Sequence, residues 1–348
     1  MKINFRYTDM LLARNLIDEV HVWDFCVDNQ TNREFIHSFM NSTNRDPRYV
    51  LMTNPPELKN KYVSSRTDNY LWDKYYDHYS TDPRYKDEDI LLKVDDDIVF
   101  LDVNKFGDFL GSIKTLNLYF PNIVNNDAGL YIQGQRKAHP SVVQAMKYYE
   151  DKGINFEKKF NTYFYNDFRK MVNMLYRYVC PLSSYECSPN SEEWRDGIFA
   201  RGDMADDTHV GFLENPEKFI EACSNENLPR MVILKQRISV NMFAGKMMLI
   251  KKIYSTFINH MCCDDEGYIG KWPSLTHIDH IIDTHFTVVH FAFNLQYEND
   301  KGKDLSRLIA QYDALASQIE QREKEKKRET MSGKKNHLHR RKEKGWWK

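Results

Sequence analysis

Apolar positions along the chain fall into two patterns, helical spacing and short apolar runs, and the switches between them divide it into elements. In residues 3–17, Ile3, Tyr7, Met10, Leu11 and Leu16 lie near one helical face until Asp18-Glu19 interrupts, which predicts a helix. The β-branched and aromatic run at 20–25, and Tyr49-Val50-Leu51-Met52 before Asn54-Pro55-Pro56, predict two buried parallel strands. Residues 70–80 carry aromatics at mixed spacing and predict the end of a helix that Asp82-Pro83 closes. A buried strand follows at 89–94, runs into Asp95-Asp96-Asp97 and leaves through the apolar run 98–101. Val103, Phe106, Phe109, Leu110 and Ile113 predict a helix over 102–116. Short strands are predicted at 118–124 and 130–132, on either side of a polar turn at 125–129. Residues 136–230 are richer in charge, Pro, Ser and Asn, which predicts helices and long loops. Strand signals return at 230–234 and 286–293 with an apolar helical stretch near 240–258 between them, and a last helix begins near 304. Such alternation predicts an α/β fold built on one sheet.

A chain of 348 residues suits one main domain over 1–303 followed by a helical, basic tail over 304–348. Hydrophobic and aromatic fractions of 41% and 14% exclude a disordered chain, because so many Tyr and Phe side chains need a core. Formal charge changes the picture more. The net value of -1 hides twelve Lys/Arg against five Glu in residues 319–348, so a mildly acidic body carries a basic tail. That tail offers weak contact with a membrane surface or an acidic partner, although charged termini are commonly just solvated, and no specific nucleic-acid recognition is expected. The six cysteines form no C-x-x-C pair and no zinc-finger spacing. With no signal peptide and no apolar run of membrane-spanning length, the chain is expected to be cytoplasmic with reduced thiols.

Candidate chemistry centres on the acidic triplet. Asp95 and Asp97 are one residue apart, at the open end of a predicted strand, where α/β sheets bind ligands. Two carboxylates so placed can hold Mg2+ or Mn2+, the hard cation that a diphosphate leaving group needs. The tripeptide by itself also occurs in helix caps, solvated turns and calcium loops. Apolar runs on both sides favour the functional interpretation, since a solvated turn has no need of core at either flank.

Several stretches together resemble the nucleotide-diphospho-sugar glycosyltransferases of GT-A fold, particularly a group from bacterial polysaccharide loci and large algal viruses. They are the run 16–23, Lys93-Val94-Asp95-Asp96-Asp97-Ile98-Val99-Phe100, Asn122-Ile123-Val124-Asn125-Asn126, Ser239-Val240-Asn241, Asp264-Asp265-Glu266 and Val288-Val289-His290-Phe291-Ala292-Phe293. The resemblance covers about 20–295 and implies a single Rossmann-type mixed sheet flanked by helices. It implies that Asp97 and Asp95 serve the metal and the nucleotide, with Asp96 near the ribose or a donor hydroxyl and Asn125 and Asn126 in the nucleotide site. His290 would be a third metal ligand. His277, His280 and His285 compete with it, and a lone His on an apolar strand is more often a core residue. Proteins of that fold open with a strand that contacts the nucleobase, whereas here Met1 leads directly into the first predicted helix. That strand is missing from the pattern, which leaves the donor base open.

Inverting sugar transfer needs a carboxylate to take the acceptor proton. Asp264, Asp265 and Glu266 are the natural source, Asp265 foremost, because crowding raises the pKa of one of them; the alternative is an acidic first turn of a helix. Trp72, Tyr75 and Tyr76 can stack on a base or sugar or simply pack in the core. The expected activity is metal-dependent transfer of a sugar from a nucleotide-diphosphate donor to a glycan or glycoprotein acceptor. Two other classes stay open: metal-dependent nucleotidyl or phosphoryl transfer, although the chain has no phosphate-cradling Gly loop, and a binding protein acting through its tail.

Overall fold

A computed structural model describes residues 1–24, 30–53, 72–114, 116–151, 202–225, 229–234, 240–257, 279–291 and 305–343, with single residues at 227, 238 and 269. The first helix, α1 (Lys2–Ala13), is shorter than its apolar pattern. Arg14 follows it, and Asn15 turns the chain at φ 52°, a left-handed conformation that Asn tolerates. Ile3, Tyr7, Met10 and Leu11 enter the main core, while Phe5 and Leu12 pack with Val22, Ile36 and Tyr49 in a second one. α1 is therefore apolar on two sides and fills the space between two sheets.

The smaller sheet is a parallel pair, β1 (Val20–Asp24) and β2 (Tyr49–Thr53), joined through α2 (Gln30–Met40). Phe5 of α1 stacks on Phe39 of α2 with ring centroids 3.7 Å apart, and Tyr49 meets both edge-on. Next come α3 (Trp72–Thr81), β3 (Ile90–Val94), β4 (Ile98–Leu101), α4 (Phe106–Ser112), β5 (Leu118–Val124), α5 (Asp127–Gln135) and α6 (Pro140–Asp151). They are followed by α7 (Gly202–Glu214), α8 (Pro216–Cys223), β6 (Met231–Leu234), β7 (Met242–Lys246), α9 (Met247–Phe257), β8 (His280–His290) and α10 (Ser306–Glu343).

Six of these strands form a mixed sheet in the order β3-β7-β5-β8-β4, with β6 on the first half of β8 beside β4 on its second half. β3 is antiparallel to β7 and β7 to β5, while β5 and β8 are parallel, so β3, β5 and β8 all run the same way. Their carboxyl ends, and the amino ends of β7 and β4, therefore meet at one end of the sheet. Helices flank it, which makes the molecule α/β, but among the described residues the single expected sheet is divided into two.

Four local expectations are corrected. Residues 130–132 belong to α5 and not to a strand: Asn126 caps that helix by accepting from the backbone N–H groups of Ala128 and Gly129. The apolar stretch 240–258 divides into β7 and α9, because a strand buried along its length lacks the alternation that would distinguish it from helix. β8 starts six residues before 286, a beginning hidden by its polar residues. Asp283, Thr284 and Thr287 are fully buried, and Arg230 satisfies Asp283 with bonds of 2.7–3.2 Å. Finally, β3 is an edge strand with Ile90 exposed, rather than a buried one.

Candidate functional site

The acidic triplet joins β3 to β4, which lie at opposite edges of the six-stranded sheet, so it passes over the ends of the strands between them. Backbone bonds hold it there: the Asp95 N–H donates to the Asn241 carbonyl (2.9 Å), and the Phe291 N–H donates to the Asp97 carbonyl (3.0 Å). Asn4, in the first turn of α1, donates from its side chain to the Asp95 carbonyl at 2.8 Å. Asp95 and Asp97 are half-buried and Asp96 is exposed at the apex.

Opposite the triplet stands His290, the last residue of β8. Its Nε2 is 3.2 Å from Asp97 Oδ2 and 3.0 Å from the Asn241 side-chain nitrogen. One ligand atom each from Asp95, Asp97 and His290 lie within 4.8 Å of one another, and no other such group of three occurs among the described residues. Ligands about 2.1–2.2 Å from a shared cation are at most about 4.4 Å apart, so a movement of well under an ångström closes the cluster on an ion. Asp97 Oδ1 is buried and has no hydrogen-bond partner among the described residues. Such an oxygen is costly unless something binds it. Two carboxylates and an imidazole fit a divalent cation such as Mn2+.

Electrostatics within the cluster follow from proximity. Burial opposes the charge on Asp97, but the hydrogen bond and charge of His290 outweigh it and hold the carboxyl below the usual range. Burial likewise opposes the imidazolium, yet Asp97 and Asp95 raise the His290 pKa above its ordinary value. Metal and proton compete for this imidazole. Lys93 adds a second competition: its ammonium is 2.5 Å from Asp95 Oδ1 and donates to the Val240 carbonyl at 2.7 Å.

The asparagines expected at the nucleotide hold the frame of the site. Asn125 adopts φ 65° and donates to the His290 carbonyl at 3.2 Å; Asn126 caps α5 and donates to Asn241 Oδ1 at 3.4 Å. Both are buried. Asn241 is the hub that reasoning from sequence did not weight, since it joins the triplet, Asn126 and His290. Lys93 was also missed, although its place two residues before Asp95 puts it on the same side of the strand.

Of the competing histidines, His280 lies at the far end of β8, packed on Phe120 and bonded to the Ile269 carbonyl at 2.9 Å, and His277 is outside the described residues. His285 is on β8 next to the Arg230–Asp283 pair, outside the cluster. Asp264, Asp265 and Glu266 lie outside the described residues. Tyr76 is buried in the main core with Tyr75 packed edge-on against it at 4.8 Å, and the Trp72 side chain is outside the described set. No helix among the described residues is long and apolar enough to cross a membrane.

Comparisons of this chain with protein-family models, with curated proteins and with solved structures find no match in any of the three.

Proposed function

We propose that the protein is a metal-dependent glycosyltransferase of GT-A type that moves a sugar from a nucleotide-diphosphate donor to a glycan or glycoprotein acceptor. The observation that carries this reading is the convergence of Asp95, Asp97 and His290 at the end of the sheet where β3, β5 and β8 finish. A divalent cation held there would neutralise the diphosphate leaving group. An imidazole beside two carboxylates favours Mn2+ over Mg2+, which prefers oxygen alone. A cation on Asp95 would release Lys93, which would then be free to meet a phosphate oxygen. Exposed Asp96 is available to a donor hydroxyl, and the base that takes the acceptor proton is assigned to the Asp264-Asp265-Glu266 run, Asp265 foremost.

Calorimetric titration with UDP and GDP, with and without Mn2+, tests this. Binding of one of them is expected to require the metal and to fall at least about tenfold in Asp97→Ala, the loss of one charged ligand. Metal-independent binding, or unchanged binding in the variant, would sink the proposal. Hydrolysis of a panel of sugar nucleotides then identifies the sugar.

A further inference from the structure

The last helix changes character along its length. Leu308, Tyr312 and Ala316 are buried in the core, and the acids of this inner half are engaged by the body: Arg6 pairs with Asp313 and Glu320, and Arg14 with Glu323. Residues 324–329 are exposed, and the backbone stays helical to Glu343. Between 326 and 344 the chain carries nine Lys/Arg against Glu329 and Glu343.

These charges are ordered. Basic pairs stand at 327–328, 334–335 and 341–342, each seven residues after the last, and Met331 and Leu338, also seven apart, fall between them. Seven residues are two helical turns less about 20°, so the three pairs and the two apolar positions share one stripe. By the same register Glu329, Ser332, Asn336 and Glu343 occupy the opposite side together with Lys326 and Arg340, so six of the nine basic residues lie on the stripe. Two tryptophans, Trp346 and Trp347, follow in the sequence.

We propose that the outer half of α10 is a docking surface for an anionic lipid bilayer, lying along the headgroups with the 327/334/341 stripe facing them. Charge complementarity to acidic lipids draws it in, and apolar positions within the basic stripe select a surface with hydrocarbon beneath it. Nucleic acid offers the charge without the hydrocarbon. The tryptophan pair has the chemistry of interfacial anchors. This surface stands independently of the sugar-transfer proposal.

The test is co-sedimentation of the full chain with vesicles of phosphatidylcholine alone or mixed with phosphatidylglycerol. Binding is expected on the mixed vesicles and not on the neutral ones, with release at high salt. The triple variant K327Q/K334Q/R341Q is expected to weaken it at least about tenfold. S332E/N336E/R340Q removes the same net charge from the other side and is expected to weaken it far less. Equal losses in the two variants would overturn the oriented stripe, and equal binding to neutral vesicles would overturn the lipid charge requirement. Tighter binding to a DNA or RNA duplex than to the mixed vesicles at matched salt would transfer the surface to nucleic acid. Because the changed positions lie beyond the core contacts of α10 among the described residues, far-ultraviolet circular dichroism and melting should match the parent chain.

Discussion

Lys93 and Asp95 form the pair on which the state of the site turns. In the structure the ammonium occupies one carboxylate oxygen that a cation would use, so metal must displace it. Lys93→Gln is therefore expected to tighten Mn2+ binding alone by about fivefold, the worth of a partly buried ion pair. The same change should weaken nucleoside diphosphate in the presence of metal, because a cation facing the phosphates is lost. Both are read by titration, and a variant that moves the two affinities in the same direction would show that Lys93 does not arbitrate between them. At this scale the sequence was legible where chemistry is carried by residue type. Asp95, Asp97 and His290 were singled out and the structure brings them together. Asn241 and Lys93 were not weighted because their role is positional: an amide and an ammonium acquire meaning only once Val240 and Asn241 are seen beside the end of β3.

Strand β5 turns into helix α5 so tightly that the position of Gly129 has no room for a side chain. Asn125 reverses the chain with a positive φ, Asn126 caps the helix, and Gly129 then passes so near the strand that a Cβ would lie 1.8 Å from the Ile123 carbonyl oxygen. Backbone cannot yield as a flexible side chain does. Gly129→Ala is expected to destabilise the fold by about 2–3 kcal/mol through overpacking, measured by urea unfolding. It should also loosen the site, because Asn125 bonds the His290 carbonyl from the same turn. Unchanged stability would mean that α5 can shift without cost. The parallel pair β1 and β2 was legible in sequence from its β-branched and aromatic runs, whereas α2, which joins them, drew no expectation. Among those misread, β7 and α5 are buried over nearly all their length, while β3 is an edge strand, exposed at Ile90, that its apolar residues made look buried. In β7 and α9 a strand passes directly into a helix at Lys246-Met247, so their apolar positions read as one stretch. In α5 a short helix of weak amphipathicity looked like a turn and a strand, although Asn126 and Gly129 were the available signals.

At the scale of the molecule, α1, α7 and α10 close over β4 and meet in a buried cluster. His209 of α7 shares a 2.8 Å hydrogen bond with the Tyr312 hydroxyl of α10, and its ring packs on Phe291, the residue after His290. Tyr7 of α1 is close enough to help raise the Tyr312 pKa, which burial already holds well above its ordinary value. Burial, with a smaller contribution from the His290 charge, pushes the His209 pKa down to about 3. This His is neutral in the fold, whereas in the unfolded chain it takes a proton near its ordinary pKa of about 6.5. Stability from this group is thus complete above that value and is lost as pH falls toward about 3, because the unfolded state alone gains the proton. Between about pH 7 and pH 5 the loss amounts to about 2 kcal/mol. His209→Phe keeps a ring in the cluster and removes the titration. Its unfolding free energy should decline over that interval by about 2 kcal/mol less than the parent's, even if the variant is less stable at neutral pH. An equal decline in both proteins would place the acid sensitivity elsewhere. A smaller one would tie it to the cluster that backs the strand carrying His290, so that one packed core sets both how the helices close and where the third candidate ligand stands.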